Sequence, residues 1–139
     1  MFLLNVLDEI QTWDAQEIFA KPVDVEEVPD YRTIVTHPMD LQTMRDKINS
    51  FEYNNIDEFE ADFNLMIENC LNYNSKDTVF YRAGVKLREQ GGIIIRHARR
   101  SIDAIGFDAA TGLHLPERKH IPVVLTDDQI LQKGANNEN

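Results

Sequence analysis

Cysteine is nearly missing from this chain, with Cys70 standing alone among 139 residues. A single thiol excludes an internal disulfide framework and a zinc site built from a cysteine cluster, and it points to a reducing compartment. Glycine and proline are sparse, six and five residues, too few for a collagenous or low-complexity chain. No apolar run approaches the roughly 20 residues of a membrane-crossing helix, so no membrane partner is expected. The opening MFLLNVLDEI has no Lys or Arg before its apolar stretch and soon reaches Asp8 and Glu9, unlike a secretory signal peptide. Positive charge is scarce too, leaving a formal net charge of −10.

What is present suits one soluble globular domain: 42% hydrophobic and 27% charged residues, at a length that buries about two-thirds of the unfolded chain's surface. The charge is unevenly placed. Residues 1–80 carry 17 acidic and five basic side chains, whereas residues 81–100 carry six basic and one acidic. An acidic body repels nucleic-acid phosphate and favours a basic partner. The basic segment has two readings, a solvated helix face balancing acidic neighbours or a weak DNA contact through Arg82, Lys86, Arg96, Arg99 and Arg100.

Four stretches have helical periodicity and none has sustained strand alternation. The first, about 2–13, places Leu3, Val6, Leu7, Ile10 and Trp13 on one stripe. The second, about 40–49, starts from Asp40 as N-cap and aligns Leu41, Met44 and Ile48. The third, about 56–73, has Asn55 as cap and Glu58 at the N3 position of a capping box, ahead of Ile56, Phe59, Phe63, Met66, Ile67 and Cys70. The fourth, about 78–105, runs through Ala83, Leu87, Ile94, Ala98, Ile102 and Ile105, with Gly106 as terminator. Gly91 and Gly92 lie inside it at about 1 kcal/mol each relative to Ala, implying a kink or a close helix approach.

Residues 14–39 hold Pro22, Pro29 and Pro38 and no periodic pattern. A connection this long is often functional. Ile18, Phe19, Val23, Val25, Val28, Tyr31, Ile34 and Val35 make it too apolar for a flexible linker, so it is expected to fold back onto the helices. The inferred architecture is an all-α antiparallel four-helix bundle with one long, packed, Pro-containing loop between its first two helices. Residues 107–120 are expected to pack irregularly and 121–139 to form a mobile tail, or a strand at Val123–Leu125 against a neighbour.

Catalysis finds no support. The histidines are His37, His97, His114 and His120, without an i, i+4 pair or HExxH. Di-metal carboxylate bundles need two Glu-x-x-His motifs, and Glu117–His120 is a single one outside the bundle. Cys70 lies on an apolar stripe, a packed thiol rather than a nucleophile. No GxSxG or P-loop occurs. No metal or cofactor is expected. A recognition site remains. Asn74, ending the third helix, reads as a turn residue that tolerates αL geometry, and Tyr31 as an aromatic packed on the bundle. In an up-down bundle, however, the loops joining helices one to two and three to four share one end, so Asn74, Tyr31, Ile18 and Phe19 could meet there.

The ordered motifs Val28-Pro29-Asp30-Tyr31, His37-Pro38-Met39-Asp40-Leu41, Asn69-Cys70 with Asn72-Tyr73-Asn74, and Phe80-Tyr81 resemble those of bromodomains, over about residues 1–107. Within that family the chain is most similar to the bromodomain-and-PHD-finger scaffolds of histone acetyltransferase complexes. The residues carrying this are Ile18-Phe19-Ala20-Lys21-Pro22-Val23, Glu27 through Tyr31, Phe80-Tyr81-Arg82-Ala83, Leu87 through Gly92 and Ala98-Arg99-Arg100. The resemblance implies a left-handed bundle, a bromodomain at 1–115 and a C-terminal extension at 116–139. It implies Asn74 as acetyl-lysine anchor, Tyr31 as the water-bridged tyrosine, Phe80 as gatekeeper and Ile18-Phe19 as shelf. Val23, Val28, Cys70 and Tyr73 follow as further wall residues. Glu17-Ile18-Phe19 replaces the common Trp-Pro-Phe shelf, as in the scaffold members, so ligand preferences of Trp-shelf members do not transfer. A nuclear, chromatin-bound parent, acetylated histone tails and acetyltransferase-complex subunits are the implied setting and partners. The competing reading is a structural interaction bundle without acetyl-lysine binding.

Overall fold

Two helix starts are written into the sequence as caps, and both form in the computed structural model, which describes residues 2–105. Asp40 is extended (φ −153°, ψ 169°) and its carboxylate accepts the Thr43 amide at 2.9 Å and the Thr43 hydroxyl at 2.6 Å. Asn55 does the same for the next helix, its Oδ1 accepting from the Glu58 amide at 2.9 Å. Glu58 reaches back as expected of a capping box, but it accepts from the Asn54 amide at 2.8 Å, one residue ahead of the cap.

The described elements are all helices: α1 (Phe2–Gln11), α2 (Tyr31–Ile34), α3 (Leu41–Asn49), α4 (Ile56–Tyr73) and α5 (Val79–Ile105). The apolar stripes of the four longer helices meet in one core. Leu3, Leu7, Ile10, Leu41, Met44, Ile48, Phe59, Phe63, Met66, Ile67, Leu87 and Ile95 are its fully buried large side chains. Each contributes about 1.5–3 kcal/mol by leaving water. The α4 helix packs on α5, and α1 packs on both α5 and α3. Ile95 belongs to the α5 core face although it is absent from the stripe read in the sequence.

Gly91 explains itself by close approach. A Cβ there would stand 2.3 Å from Phe63 Cζ, whereas one on Gly92 would meet only Arg96 Nη1, at 3.8 Å. The α4–α5 contact therefore requires glycine at 91 and leaves 92 open.

Other expectations are corrected. The α1 helix stops at Gln11 rather than about residue 13, because Thr12 Oγ1 donates to Glu9 O and the Trp13 and Asp14 amides tighten to i−3 carbonyls. Trp13 consequently leaves the core stripe and is 44% exposed, with Lys86 Nζ 5.6 Å above its ring. The 14–39 connection contains the single turn α2, too short to show a period. Its apolar residues fold back selectively: Phe19, Tyr31 and Val35 are buried, Ile18 and Val28 half-buried, while Val23, Val25 and Ile34 are exposed. The expected terminator Gly106, the irregular segment 107–120, the tail 121–139 and the boundary at 115 lie outside the described residues.

Backbone and side-chain bonds hold the loop in place. The Phe19 and Ala20 carbonyls accept the Leu41 and Gln42 amides at 2.8 and 3.1 Å, which also satisfies first-turn donors of α3 that have no partner inside the helix. Asn69 Nδ2 donates to the His37 carbonyl at 2.8 Å, tying the loop to α4.

Candidate functional site

Because the loop is sewn to α3 and α4, it stands over the end of the bundle where α4 gives way to α5. A cavity of about 240 Å³ opens between them. The structure brings all nine residues singled out in the sequence to this one cavity: Ile18, Phe19, Val23, Val28 and Tyr31 from the loop side, Cys70, Tyr73 and Asn74 from the end of α4, and Phe80 from the start of α5. Phe80 is half exposed.

Four further residues line it: Lys21, Met39, Asp40 and Met66. Met66 was legible only as core, Asp40 only as a cap, and Met39 and Lys21 only as members of motifs. A core residue shows no sequence sign of also facing a cavity.

Asn74 closes α4 with an extended backbone (φ −98°, ψ 144°), not the left-handed geometry that would favour asparagine in a turn. Its side chain does the distinctive work. Nδ2 donates to the Cys70 carbonyl at 2.9 Å and lies 3.6 Å from Cys70 Sγ. An amide nitrogen carries two protons and its oxygen accepts. The Cys70 carbonyl takes one proton, the long contact to the weakly accepting Sγ is readily exchanged for a better acceptor, and the group keeps polar capacity at the cavity wall.

Tyr31 is buried, its ring edge-on to Tyr73 with centroids 4.9 Å apart. The Tyr73 hydroxyl donates to Asp30 at 2.9 Å, fastening α2 to the end of α4. That bond to a carboxylate is the main reason the Tyr73 phenol holds its proton more tightly than usual. Burial does the same for Tyr31, helped by Cys70, Tyr73 and Asp40. The Tyr31 hydroxyl has no hydrogen-bond partner among the described residues, and Tyr31 lines the cavity.

Cys70 is a packed thiol. Its Sγ donates to the Phe80 carbonyl at 3.2 Å, and burial raises its pKa against the opposing effect of Asn74. A low-pKa nucleophile needs the reverse environment. Among the described residues no group of three or more His, Cys, Asp or Glu side chains is placed to hold a metal ion, and no helix is long and apolar enough to cross a membrane.

The basic residues of α5 divide. Arg99 pairs with Asp57 at 2.6 Å and with Glu60, Arg82 donates to the Asp77 carbonyl at 3.2 Å, and Lys86 covers Trp13. Arg96 and Arg100 remain exposed. Three of the five candidate DNA-contacting side chains are thus engaged within the bundle.

Comparison with known proteins agrees with this geometry. The bromodomain family model matches residues 3–86. The chain is 51% identical over 117 residues to Bromodomain and PHD finger-containing protein 3 of Mus musculus, covering 84% of this chain and 10% of that protein. It is 48% identical over 89 residues to Bromodomain-containing protein 9 of Danio rerio, covering 64% of this chain and 14% of that protein. The chain spans about a tenth of the length of the first curated relatives it matches. Among solved structures, the bromodomain from human BAZ1A matches with a TM-score of 0.66 and 32% identity over 70% of this chain and 94% of that one. A hypothetical bromodomain from Trypanosoma brucei in complex with bromosporine matches with a TM-score of 0.67 and 30% identity, over 70% and 84%.

Proposed function

The chain belongs to the bromodomain family, whose members are left-handed four-helix bundles, and from that premise we propose that it is a non-catalytic reader of acetylated lysine. The observation that carries the reading is the presence, in the lining of one mostly apolar cavity, of both the Asn74 amide and Tyr31, whose hydroxyl has no partner among the described residues.

Acetylation replaces a strongly hydrated ammonium with a neutral amide bearing a methyl group. An unmodified lysine in this mostly apolar cavity would lose its hydration, and the carboxylate on the wall, Asp40, is already engaged by the Thr43 amide and hydroxyl, so burying the ammonium costs several kcal/mol. The acetyl carbonyl needs a donor, and Asn74 Nδ2 supplies it. Tyr31 reaches the same oxygen through water, which serves nearly as well as a direct bond. Ile18, Phe19, Val23 and Val28 enclose the methyl and the lysine stem, and Phe80 guards the entrance. Recognition therefore draws on desolvation as much as attraction.

The ligand is an acetylated histone tail. Glu17, Asp24, Glu26, Glu27, Asp30 and Asp77 are exposed on the two loops that bear the cavity, and they suit the Lys- and Arg-rich flanks of such a tail. The 51% identity to a bromodomain and PHD finger-containing protein supports a nuclear parent that scaffolds a histone acetyltransferase complex. The domain comprises residues 1–115, with 116–139 as its extension. The test is amide chemical-shift mapping with acetylated and unacetylated tail peptides. Shifts at Tyr31, Asn74 and Phe80 with the acetylated peptide alone are expected. Equal shifts with both peptides would overturn the reading, and none across a panel of acetylated tails would favour a structural interaction bundle.

A further inference from the structure

We propose that Asp14 is the positioning residue of the Ile18–Phe19 shelf: its buried carboxylate fixes the backbone of these two wall residues and thereby sets the affinity of the pocket. The proposal rests on the acetyl-lysine reading for its binding arm and on local geometry for the rest.

Asp14 and Asp40 are the buried acidic side chains of the described residues, at 7% and 5% exposure. Asp40 caps α3. Asp14 serves no helix start. Its Oδ1 accepts the Ile18 amide at 2.8 Å and its Oδ2 accepts the Phe19 amide at 2.9 Å, so each oxygen takes one of two successive amides. Two adjacent bonds from one rigid group fix orientation as well as distance.

The intervening chain needs that hold. Glu17 has φ of 57°, a left-handed conformation disfavoured for a residue with a side chain. It persists where surrounding bonds over-determine it. The Glu17 amide also donates to the Asp14 carbonyl at 2.9 Å, closing the turn from the same residue. On the far side, the Phe19 carbonyl accepts the Leu41 amide at 2.8 Å. Phe19 is therefore pinned through its amide by Asp14 and through its carbonyl by α3. Without the carboxylate Phe19 is held from the α3 side alone, and Glu17 keeps a single bond, from its amide to the Asp14 carbonyl, to hold it in the left-handed region.

Removing this group leaves every pocket side chain in the sequence, so its effect separates position from contact. Burial raises the Asp14 pKa against the lowering effect of the two amides, and Glu17 is the neighbouring charge that adds to the rise. Protonation converts one accepting oxygen to a hydroxyl and weakens one of the two amide bonds.

The experiment compares wild type, Asp14→Asn and Asp14→Ala by amide hydrogen exchange, by pH titration of amide shifts, and by calorimetry with an acetylated histone-tail peptide. In Asp14→Ala the affinity falls about 5- to 20-fold, on the scale of losing one or two hydrogen bonds. Asp14→Asn, with one accepting oxygen, is intermediate. Exchange accelerates at Ile18 and Phe19 while the Cys70 and Asn74 amides of α4 are unchanged. In wild type the Ile18 and Phe19 shifts titrate together, with a midpoint above that of an ordinary aspartate, and in Asp14→Asn this titration is gone. Unchanged affinity despite loss of protection at Ile18 and Phe19 would overturn the proposal, as would uniform loss of protection through α4. If wild type binds no acetylated peptide, the reader function fails and the positioning role in affinity fails with it, while exchange and titration still report on the Asp14 latch.

Discussion

At the end of α4 two atoms of one residue share an acceptor: the Cys70 carbonyl takes both the Asn74 amide, at 3.1 Å, and Asn74 Nδ2. Removing the side chain by Asn74→Ala leaves that carbonyl bonded through the backbone, so the helix end stays satisfied and the stability loss stays below about 1 kcal/mol. Tyr31 offers a complementary separation. Tyr31→Phe keeps the ring edge against Tyr73 and deletes a hydroxyl with no partner among the described residues. Peptide binding weakens by about 0.5–1.5 kcal/mol, up to roughly tenfold in Kd, while the thermal midpoint holds or rises. Calorimetry beside a melting curve checks both halves, and a fallen midpoint with unchanged Kd would make Tyr31 a packing residue only. Asn74 and Tyr31 could be singled out in the sequence through motif resemblance, whereas their physical reading alone pointed to a turn and to packing. The extended Asn74 backbone, which shows that the αL argument does not apply, is a tertiary fact.

Along α5 the neighbouring glycines make opposite predictions. Gly91→Ala drives a methyl into the buried Phe63 ring; overpacking of this kind costs about 1–3 kcal/mol, opposed by about 1 kcal/mol of helix propensity. The variant is expected to unfold at lower urea concentration. Gly92→Ala meets only ordinary contact with the Arg96 side chain and keeps the propensity gain, so it unfolds at higher urea. Equal shifts in one direction would contradict the close approach of α4. The sequence left kink and close approach open at this pair, because both cost the helix the same propensity and only the partner's ring tells them apart. Capped helices with long stripes were the most legible elements: the bounds of α4 match the 56–73 expected from Asn55 and its apolar pattern. The end of α1 was less legible, since Trp13 fits the stripe and only the tightened turn after Gln11 removes it.

For the molecule as a whole, charge and cavity lie together. The acidic loop residues border a site proposed for a basic tail, so association should slow as salt rises toward a Debye length of about 8 Å at physiological ionic strength. Stopped-flow binding of an acetylated peptide at increasing NaCl is expected to show a falling on-rate with little change in off-rate. A flat on-rate would show that the acidic rim does not steer the peptide. The all-helical bundle was legible because amphipathic periodicity needs no partner to be read. The cavity was less so, because it depends on how residues 14–39 lie over the bundle, and that path is set by long-range bonds such as Asn69 to His37 and Asp14 to the shelf amides. Lys21, Met39, Asp40 and Met66 became wall residues only once that path was known.

The proposed recognition of acetylated lysine turns on one amide, that of Asn74, on a mostly apolar wall. Its most direct test is a calorimetric titration of wild type and Asn74→Ala with acetylated and unacetylated forms of one histone-tail peptide, with melting curves on both proteins. Wild type is expected to bind the acetylated form alone, and Asn74→Ala to lose about 1–3 kcal/mol of binding with the melting temperature nearly unmoved. Undiminished binding by Asn74→Ala, or a loss matched by an equal loss of stability, would contradict it.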